Sequence, residues 1–172
     1  MSVRALSRAG ASGATPAALE ELFRLRYGDF LRVATAVTGS SESGRDAVQE
    51  ALARALAGRT LFRGSGTLEA WLWSIVVNAS RNIRNRSPIV AEASDRGALP
   101  VEPVVDERRD AVRAAVAGLP ERQRLVLFLR YYADLDYGSI GAVLGIRRGT
   151  VSATLNQAHS SMRRLLEEEV TR

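Results

Sequence analysis

Four side chains that can recognise the edge of a DNA base lie near the start of the last long apolar repeat of this sequence. Arg147 and Arg148 stand at its beginning, and Asn156 and Gln157 lie within it. Arginine can pair bidentately with guanine, and asparagine or glutamine with adenine. These residue types could therefore read base sequence in a major groove, provided that the fold presents them on one face.

The elements that must position them follow from the apolar spacing between residues 119 and 166. Pro120 suits the first turn of a helix, and the positions after it recur at helical spacing. Asp136 can cap a short second helix, which Gly145 can end. A third helix then begins near Arg148, with a stripe of Val151, Leu155, Ala158, Met162 and Leu165. A short helix, a Gly-containing turn and a longer helix predict a helix-turn-helix motif.

In such a motif the third of these helices is the recognition helix. At 100° per residue, with the apolar stripe facing inward, its outward side carries Ser152, Ala153, Asn156, Gln157, Ser160 and Arg164. An ordinary helical hairpin with a solvated polar face would show the same pattern. The periodicity alone therefore leaves both interpretations open.

The segment LPERQRLVLFLRYYADLDYGSIGAVLGIRRGTVSATLNQA resembles region 4 of an extracytoplasmic-function (ECF) sigma factor. The resemblance implies contact with the upstream (−35) promoter element by Arg147, Arg148, Thr150, Ser152, Asn156 and Gln157. Two departures from the family pattern stand out. Ser139-Ile140-Gly141 replaces the usual Glu-Ile-Ala, and several recognition-helix positions that are often basic are neutral here, which predicts a weaker phosphate contribution. The residues matching the family pattern are Leu119, Pro120, Arg124, Tyr137, Ile140, Leu144, Gly145, Gly149, Thr150 and Val151.

Composition places the chain among globular proteins and excludes several classes. Of 172 residues, 46% are hydrophobic and 25% charged, and the net charge is +5. All 24 basic residues are arginines, and no cysteine is present, which excludes disulfides and thiolate metal sites. No apolar run approaches the ~20 residues that cross a bilayer, so we expect no membrane insertion. Residues 1–14 predict a disordered tail, and a cytoplasmic location is expected.

The charge is divided unevenly along the chain. Residues 1–86 hold 12 arginines and 7 acids, residues 87–118 hold 4 and 6, and residues 119–172 hold 8 and 6. Two basic parts joined by an acidic connector favour two modules that face nucleic acid.

The first module begins with two predicted helices. Thr15-Pro16 is typical of a helix start, and the apolar stripe that follows ends at Gly39; it comprises Leu19, Leu22, Phe23, Tyr27, Phe30, Ala34 and Val37. Ser40 or Ser41 can cap the next helix, whose inward face is Ala47, Val48, Ala51, Leu52, Ala55 and Leu56. Its other face carries Asp46, Gln49, Glu50 and Arg54, which is also typical of a solvated face with one Glu50–Arg54 pair.

Two segments of this module resemble sigma region 2. The Asp46–Leu52 segment is similar to the family's Asp-x-Val-Gln-Glu pattern, which implies that Asp46, Gln49, Glu50 and Arg54 dock on the clamp helices of the largest polymerase subunit. A Gly-rich loop over residues 58–67 then precedes a helix predicted from Leu68 to about Arg86. Trp71-Leu72 with Asn78 resembles the family pattern that captures a flipped base of the downstream (−10) element. The implied contact residues are Phe62, Arg63, Asn78, Arg81 and Arg84.

Residues 87–105 predict a flexible linker because three prolines and several acids interrupt the periodicity. We therefore expect an all-α chain of two small helical domains, a region 2-like bundle at residues 15–86 and a region 4-like helix-turn-helix at residues 106–168. The second domain would begin with a helix over residues 106–117 whose inward face is Ala111, Val112, Ala115 and Val116.

Nothing in the sequence favours catalysis, a metal site or a cofactor, since His159 stands alone and no paired carboxylates or phosphate-binding loop are apparent. The resemblance implies a sigma factor that binds core RNA polymerase, through its clamp helices and flap, and promoter DNA, with an anti-sigma factor as a further partner. Two alternatives stay open: a stand-alone helix-turn-helix regulator, and a sigma-like interaction protein that does not initiate transcription. The sequence does not specify the promoter, the inducing signal or the oligomeric state.

Overall fold

The computed structural model describes residues 13–64, 66–86 and 107–170, with the backbone alone at residues 107–110, 169 and 170. This part of the chain contains seven α-helices and no strand, which confirms the all-α prediction. The predicted linker and residues 1–12 of the predicted tail lie outside the described residues. The helices are α1 (Pro16–Thr38), α2 (Ser41–Ala57), α3 (Leu68–Arg86), α4 (Glu107–Ala117), α5 (Glu121–Tyr131), α6 (Tyr137–Leu144) and α7 (Arg148–Val170).

The first domain is a bundle of α1, α2 and α3, and local sequence signals set its helix ends. The Thr15 hydroxyl accepts a hydrogen bond from Ala18 N at 3.2 Å, and Pro16 follows at the first helical position, as predicted. Gly39 ends α1 with a φ of 87°, a left-handed conformation in which a Cβ would be strained. The Ser40 side chain then caps α2.

A close approach between α1 and α2 depends on a residue without a side chain. A Cβ added to Gly44 would lie 2.5 Å from Thr35 Oγ1 and 2.9 Å from Thr35 N. Contacts that short require the helices to separate. Gly44 therefore holds α2 against α1, and the same packing turns the Asp46–Arg54 face of α2 outward.

Three residues predicted to face the core are exposed, and these predictions were wrong. Tyr27 is 44% exposed, Leu56 37% and Val112 45%. Tyr27 lies at the edge of the α1 stripe, where its phenol reaches water, and Leu56 belongs to the last turn of α2. Val112 is exposed because α4 packs mainly against one neighbour, α7, which covers one side of the helix.

Ordered packing begins earlier than the predicted domain boundary. Ala14, which the sequence places in the tail, is buried, and its N–H donates to Arg59 O at 3.0 Å. Arg59 opens a single 3₁₀ turn, Arg59–Leu61, after α2. The start of the described chain is thereby fastened to the loop that leads to α3.

The second domain packs α5, α6 and α7 around one apolar centre, with α4 lying on α7. Arg124 is buried among these helices, and its Nη1 donates to Ala117 O at 3.1 Å, which links the end of α4 to α5. The two domains also touch, because α3 packs against α6 and α1 approaches α5. The buried residues around this centre are Leu119, Leu125, Val126, Phe128, Leu129, Ala133, Leu135, Ile140, Val143, Val151, Leu155 and Ala158.

Candidate nucleic-acid interface

The turn between α6 and α7 has the tight geometry of a helix-turn-helix. Gly145 adopts a φ of 67°, and Ile146 N donates to Gly141 O at 2.9 Å. A Cβ on Gly141 would lie 2.6 Å from Ile146 O, so only glycine fits between α6 and the turn without movement. The glycine that departs from the usual family alanine is thus a packing requirement of this turn.

Asp136 caps α6 as predicted. Its Oδ1 accepts hydrogen bonds from Gly138 N at 2.7 Å and Ser139 N at 2.9 Å, and the Ser139 hydroxyl donates to Oδ2 at 3.1 Å. The hydrogen bond from the backbone N–H of Ser139 lowers the pKa of the Asp136 carboxyl most. The hydrogen bonds from the Ser139 hydroxyl and Gly138 N and the positive charge of Arg148 lower it further. The cap fixes the residue at which α6 begins.

The recognition helix α7 presents the predicted face to solvent. Val151, Leu155 and Ala158 are buried against α5 and α6, as the stripe predicted. Because these residues fix the rotation of the helix, the polar side chains point away from the domain. The exposed candidates are Arg147, Arg148, Thr150, Asn156 and Gln157, and Ser152 is half-buried.

One residue pair of this domain was not predicted from the sequence. The Tyr131 hydroxyl lies 3.0 Å from His159 Nε2, joining α5 to α7 beside the recognition face. His159 is exposed, and no cluster of three or more potential metal ligands occurs among the residues that the structure describes. The only signal for the pair is the helix packing itself, since the two residues are 28 positions apart.

The polar face of α2 is open to solvent in the structure. Asp46 and Gln49 are exposed, while Glu50 is half-buried and forms an ion pair with Arg54 one turn further along. An exposed i,i+4 pair of this kind contributes only about 0.3–0.5 kcal/mol to stability. The face therefore has little role in holding the fold, and its exposed Asp46 and Gln49 side chains are accessible to a partner.

The residues predicted to contact the downstream element in the loop and α3 differ in their exposure to solvent. Phe62 is only 4% exposed, and its ring packs against Trp71 with centroids 5.6 Å apart. Arg63 and Asn78 are exposed, and Trp71 is half-buried. Trp71 and Asn78 are seven residues apart, so they share one side of α3. The accessible candidates here are therefore Asn78 and the half-buried Trp71 on α3 and Arg63 in the loop, while Phe62 lies beneath Trp71.

Arg81 and Arg84 are engaged by the second domain. Arg81 Nε lies 3.2 Å from Glu121 Oε1, and Arg84 Nη1 lies 2.7 Å from Glu121 Oε2. Burial alone would raise the pKa of the Glu121 carboxyl, but hydrogen bonds and charge from Arg84 and Arg81 hold it below its usual value. No sequence signal predicted this contact, because the partners stand about 40 positions apart in separate domains.

No helix in the described part of the chain is long and apolar enough to span a membrane.

Two family models match the sequence in chain order. Residues 22–87 match Sigma-70 region 2, and residues 109–162 match Sigma-70, region 4. The first match covers α1 from Leu22 onward, α2, the loop and α3, and the second covers the helix-turn-helix. The matches thus coincide with the two domains that the structure shows.

Individual proteins match over most of the chain. The ECF RNA polymerase sigma factor EcfG of Rhodopseudomonas palustris is 32% identical over 138 residues, covering 77% of this chain and 76% of that one. The ECF RNA polymerase sigma factor SigM of Mycobacterium tuberculosis is 31% identical over 156 residues, covering 87% and 77%. The sigma factor RpoE of Bartonella quintana, solved in complex with the anti-sigma factor NepR, superimposes with a TM-score of 0.71 at 21% identity, covering 86% and 96%. CnrH, solved in complex with the cytosolic domain of CnrY, superimposes with a TM-score of 0.66 at 17% identity, covering 90% of this chain and 91% of that one. The all-helical two-domain fold, the two Sigma-70 matches and these identities agree that the chain belongs to the ECF sigma factors of RNA polymerase.

Proposed function

We propose that the two domains divide promoter recognition between them, the first gripping polymerase and the downstream element and the second reading the upstream element. The observation that carries this assignment is the outward face of α7, where Arg148, Asn156 and Gln157 stand free of the buried stripe. A recognition helix contacts bases through the N-terminal residues that enter the groove. Arg147, Thr150 and Ser152 complete the proposed surface.

Two substitutions on α7 test the reading of the upstream element. Arg148→Ala and Gln157→Ala should each lower promoter selectivity by about 1–3 kcal/mol if the side chain contacts a base. A side chain that contacts only phosphate would weaken every sequence alike and flatten the salt dependence. The measurement is transcription by core polymerase from matched promoters that differ only in the upstream element, at two salt concentrations.

Arg163→Ala is the matched control on the same helix. It removes the same charge from an exposed position about 22 Å further along α7, at 1.5 Å per residue. We expect the control to leave the ranking of promoters unchanged. Equal rankings for wild type and all three variants would refute base reading by α7.

In the first domain we propose that α2 docks on the clamp helices of polymerase through Asp46, Gln49, Glu50 and Arg54. Charge reversal as Asp46→Arg with Glu50→Arg should abolish co-purification with core enzyme. Helicity should be preserved, because Asp46 is exposed and the Glu50–Arg54 pair contributes only about 0.3–0.5 kcal/mol to stability. Glu20→Arg with Glu21→Arg, two exposed acids on α1, is the matched double reversal. Undiminished core binding by the α2 variant would defeat the docking assignment.

We propose that the downstream element is captured between the loop and α3. Arg63 and Asn78 would contact the extruded base and its phosphates, with the half-exposed Trp71 ring as an apolar wall. Phe62 would support Trp71 from beneath, because its own ring is buried. Arg81 and Arg84 would contact backbone phosphates further along the helix.

Two alternative functions are less favoured, that of a stand-alone regulator and that of an interaction protein that does not initiate transcription. A stand-alone regulator has no need of a Sigma-70 region 2, which residues 22–87 match. A non-initiating interaction protein is distinguished by the transcription assay itself, because it would bind core enzyme without producing transcripts. Neither reading, nor the proposed role in initiation, assigns a catalytic group to this chain.

We also propose an anti-sigma factor as a partner, because RpoE, which shares this fold, was solved in complex with the anti-sigma factor NepR. Native purification of the tagged chain should recover a protein that blocks core binding when the two are recombined. A recovered protein without that effect would count against the assignment.

A further inference from the structure

An exposed aromatic pair, Tyr131 and His159, lies where α5 meets the recognition helix α7. The Tyr131 hydroxyl is 3.0 Å from His159 Nε2, and the two rings are tilted with centroids 6.0 Å apart. Both side chains are exposed, Tyr131 to 63%. Buried apolar side chains of both helices, among them Leu129 and Leu155, hold α5 against α7. The pair lies outside this apolar contact, so its rings are accessible to a ligand.

The hydrogen bond within the pair leaves one polar hydrogen unused. A neutral histidine ring carries one N–H, and a tyrosine carries one O–H. If the hydroxyl donates to Nε2, the Nδ1–H stays free, and if Nε2–H donates to the hydroxyl, the O–H stays free. The pair therefore offers a hydrogen to a ligand in either arrangement, and a protonated ring would offer one more. Phosphate oxygens, which accept hydrogen bonds and carry negative charge, suit such a site.

His159 lies on the same side of α7 as two residues of the proposed upstream surface. At 3.6 residues per turn, Arg148, Ser152 and His159 fall within about 40° of one another around the helix axis. They extend over about 16 Å of the helix, at 1.5 Å per residue. One strand of a DNA duplex carries a phosphate about every 3.4 Å along its axis, so a backbone running beside this row passes several phosphates.

We propose that Tyr131 and His159 form a binding site for a backbone phosphate of promoter DNA beside the upstream element. The inference rests on the proposed function, since α7 must enter the groove to bring DNA beside the pair. Tyrosine hydroxyls are among the usual donors to DNA phosphates, and such contacts fix the register of a protein on DNA without carrying sequence information. The site thus positions α7 for base reading, and its loss should weaken all promoters alike.

The first test measures how tightly the full chain, assembled with core polymerase, binds promoter duplexes. Tyr131→Phe removes only the hydroxyl, and His159→Ala removes the ring. Each should lower affinity about three- to tenfold, as expected for one hydrogen bond, with the ranking of upstream elements unchanged. Because the two side chains act as one unit, the double variant should lose little more than either single variant. Tyr132→Phe removes the same hydroxyl from the neighbouring exposed tyrosine and should bind as wild type.

Ethylation of single phosphates in the duplex identifies the contact directly. With the wild-type chain, an ethyl group on the contacted phosphate should interfere with binding. In Tyr131→Phe and His159→Ala this interference should disappear at that one phosphate and stay unchanged at all others. Misfolding does not erase the interference at a single phosphate, and circular dichroism verifies helicity for every variant.

Two results would overturn the proposal. If both variants bind DNA as tightly as wild type, or keep its interference pattern, the pair is not a phosphate site. If the variants weaken core binding and leave the interference pattern unchanged, the pair contacts polymerase instead. In either case the reading of the upstream element by α7 is decided separately, by the promoter ranking of Arg148→Ala and Gln157→Ala.

Discussion

Replacing Gly141 by alanine sets two known effects against each other at the turn of the helix-turn-helix. In an open helix the substitution stabilises a protein by about 0.4–1 kcal/mol, because alanine loses less backbone entropy on folding. Here the added Cβ would lie 2.6 Å from Ile146 O, well inside ordinary contact distance. The carbonyl is backbone, so relief requires α6 and the turn to move apart.

Forcing an extra methyl group into a packed site costs about 1–3 kcal/mol. Subtracting the gain in helix propensity leaves a net loss of stability of about 0–2.6 kcal/mol for Gly141→Ala, with a middle value of about 1.3 kcal/mol. The hydrogen bond from Ile146 N to Gly141 O, 2.9 Å long, should weaken as the backbones separate. Since this turn sets the angle of α7, upstream-element selectivity should fall together with stability.

Urea denaturation followed by circular dichroism measures the change, with Gly149→Ala as the matched control. Gly149 lies in the first turn of α7, and its added Cβ would meet nothing within 4 Å. The control should be as stable as wild type or slightly more stable. If Gly141→Ala equals the control in stability and keeps upstream selectivity, the turn is not limited by this contact and the steric argument is wrong.

Three further substitutions test other parts of the structure. Asp136→Ala should lower the free energy of unfolding by about 0.5–2 kcal/mol and Asp136→Asn by much less, because asparagine also caps helices. Because folding lowers the pKa of Asp136, the stability that its carboxylate contributes is complete above about pH 3.9 and is lost as the pH falls through the lowered pKa. Asp136→Asn should abolish this loss in acid-denaturation curves. Gly44→Ala should destabilise the first domain by about 1–3 kcal/mol in thermal unfolding, and Thr35→Ala should rescue it only in part, because Thr35 N would still lie 2.9 Å from the new Cβ. Asn78→Ala should weaken promoter opening about fivefold, the equivalent of one hydrogen bond of about 1 kcal/mol, without changing closed-complex formation; Asn85→Ala, exposed two turns further along α3, is its control, and a permanganate footprint of normal intensity from Asn78→Ala would count against the pocket.

Helix ends and the faces of the recognition motif were predictable because their causes are local. Thr15 and Gly39 cap α1, and Asp136 and Gly145 cap α6, through donors and acceptors that lie within a few residues. The buried stripe of α7 follows from periodicity alone, since one side of that helix meets its neighbours. These signals were sufficient to place the upstream candidates on a solvent-facing surface.

Other features depend on contacts between distant segments and could not be inferred from periodicity. The exposure of Tyr27 and Leu56 depends on where neighbouring helices end, which the apolar pattern does not encode. The burial of Phe62 depends on how the loop folds back onto Trp71. The pairing of Arg81 and Arg84 with Glu121 requires the relative placement of two domains across the segment that separates them.

Helix α3 illustrates why a single helix can serve both the fold and a partner. Its bundle-facing side holds the first domain together, so substitutions there affect folding before function. Asn78 is exposed and free of that constraint, and its removal can report on function alone. A third side carries Ala70 and Val77, both buried, and beyond them Arg84 pairs with Glu121 of the second domain. The three sides of α3 therefore differ in what a substitution on each would report, namely folding, packing between the domains or function.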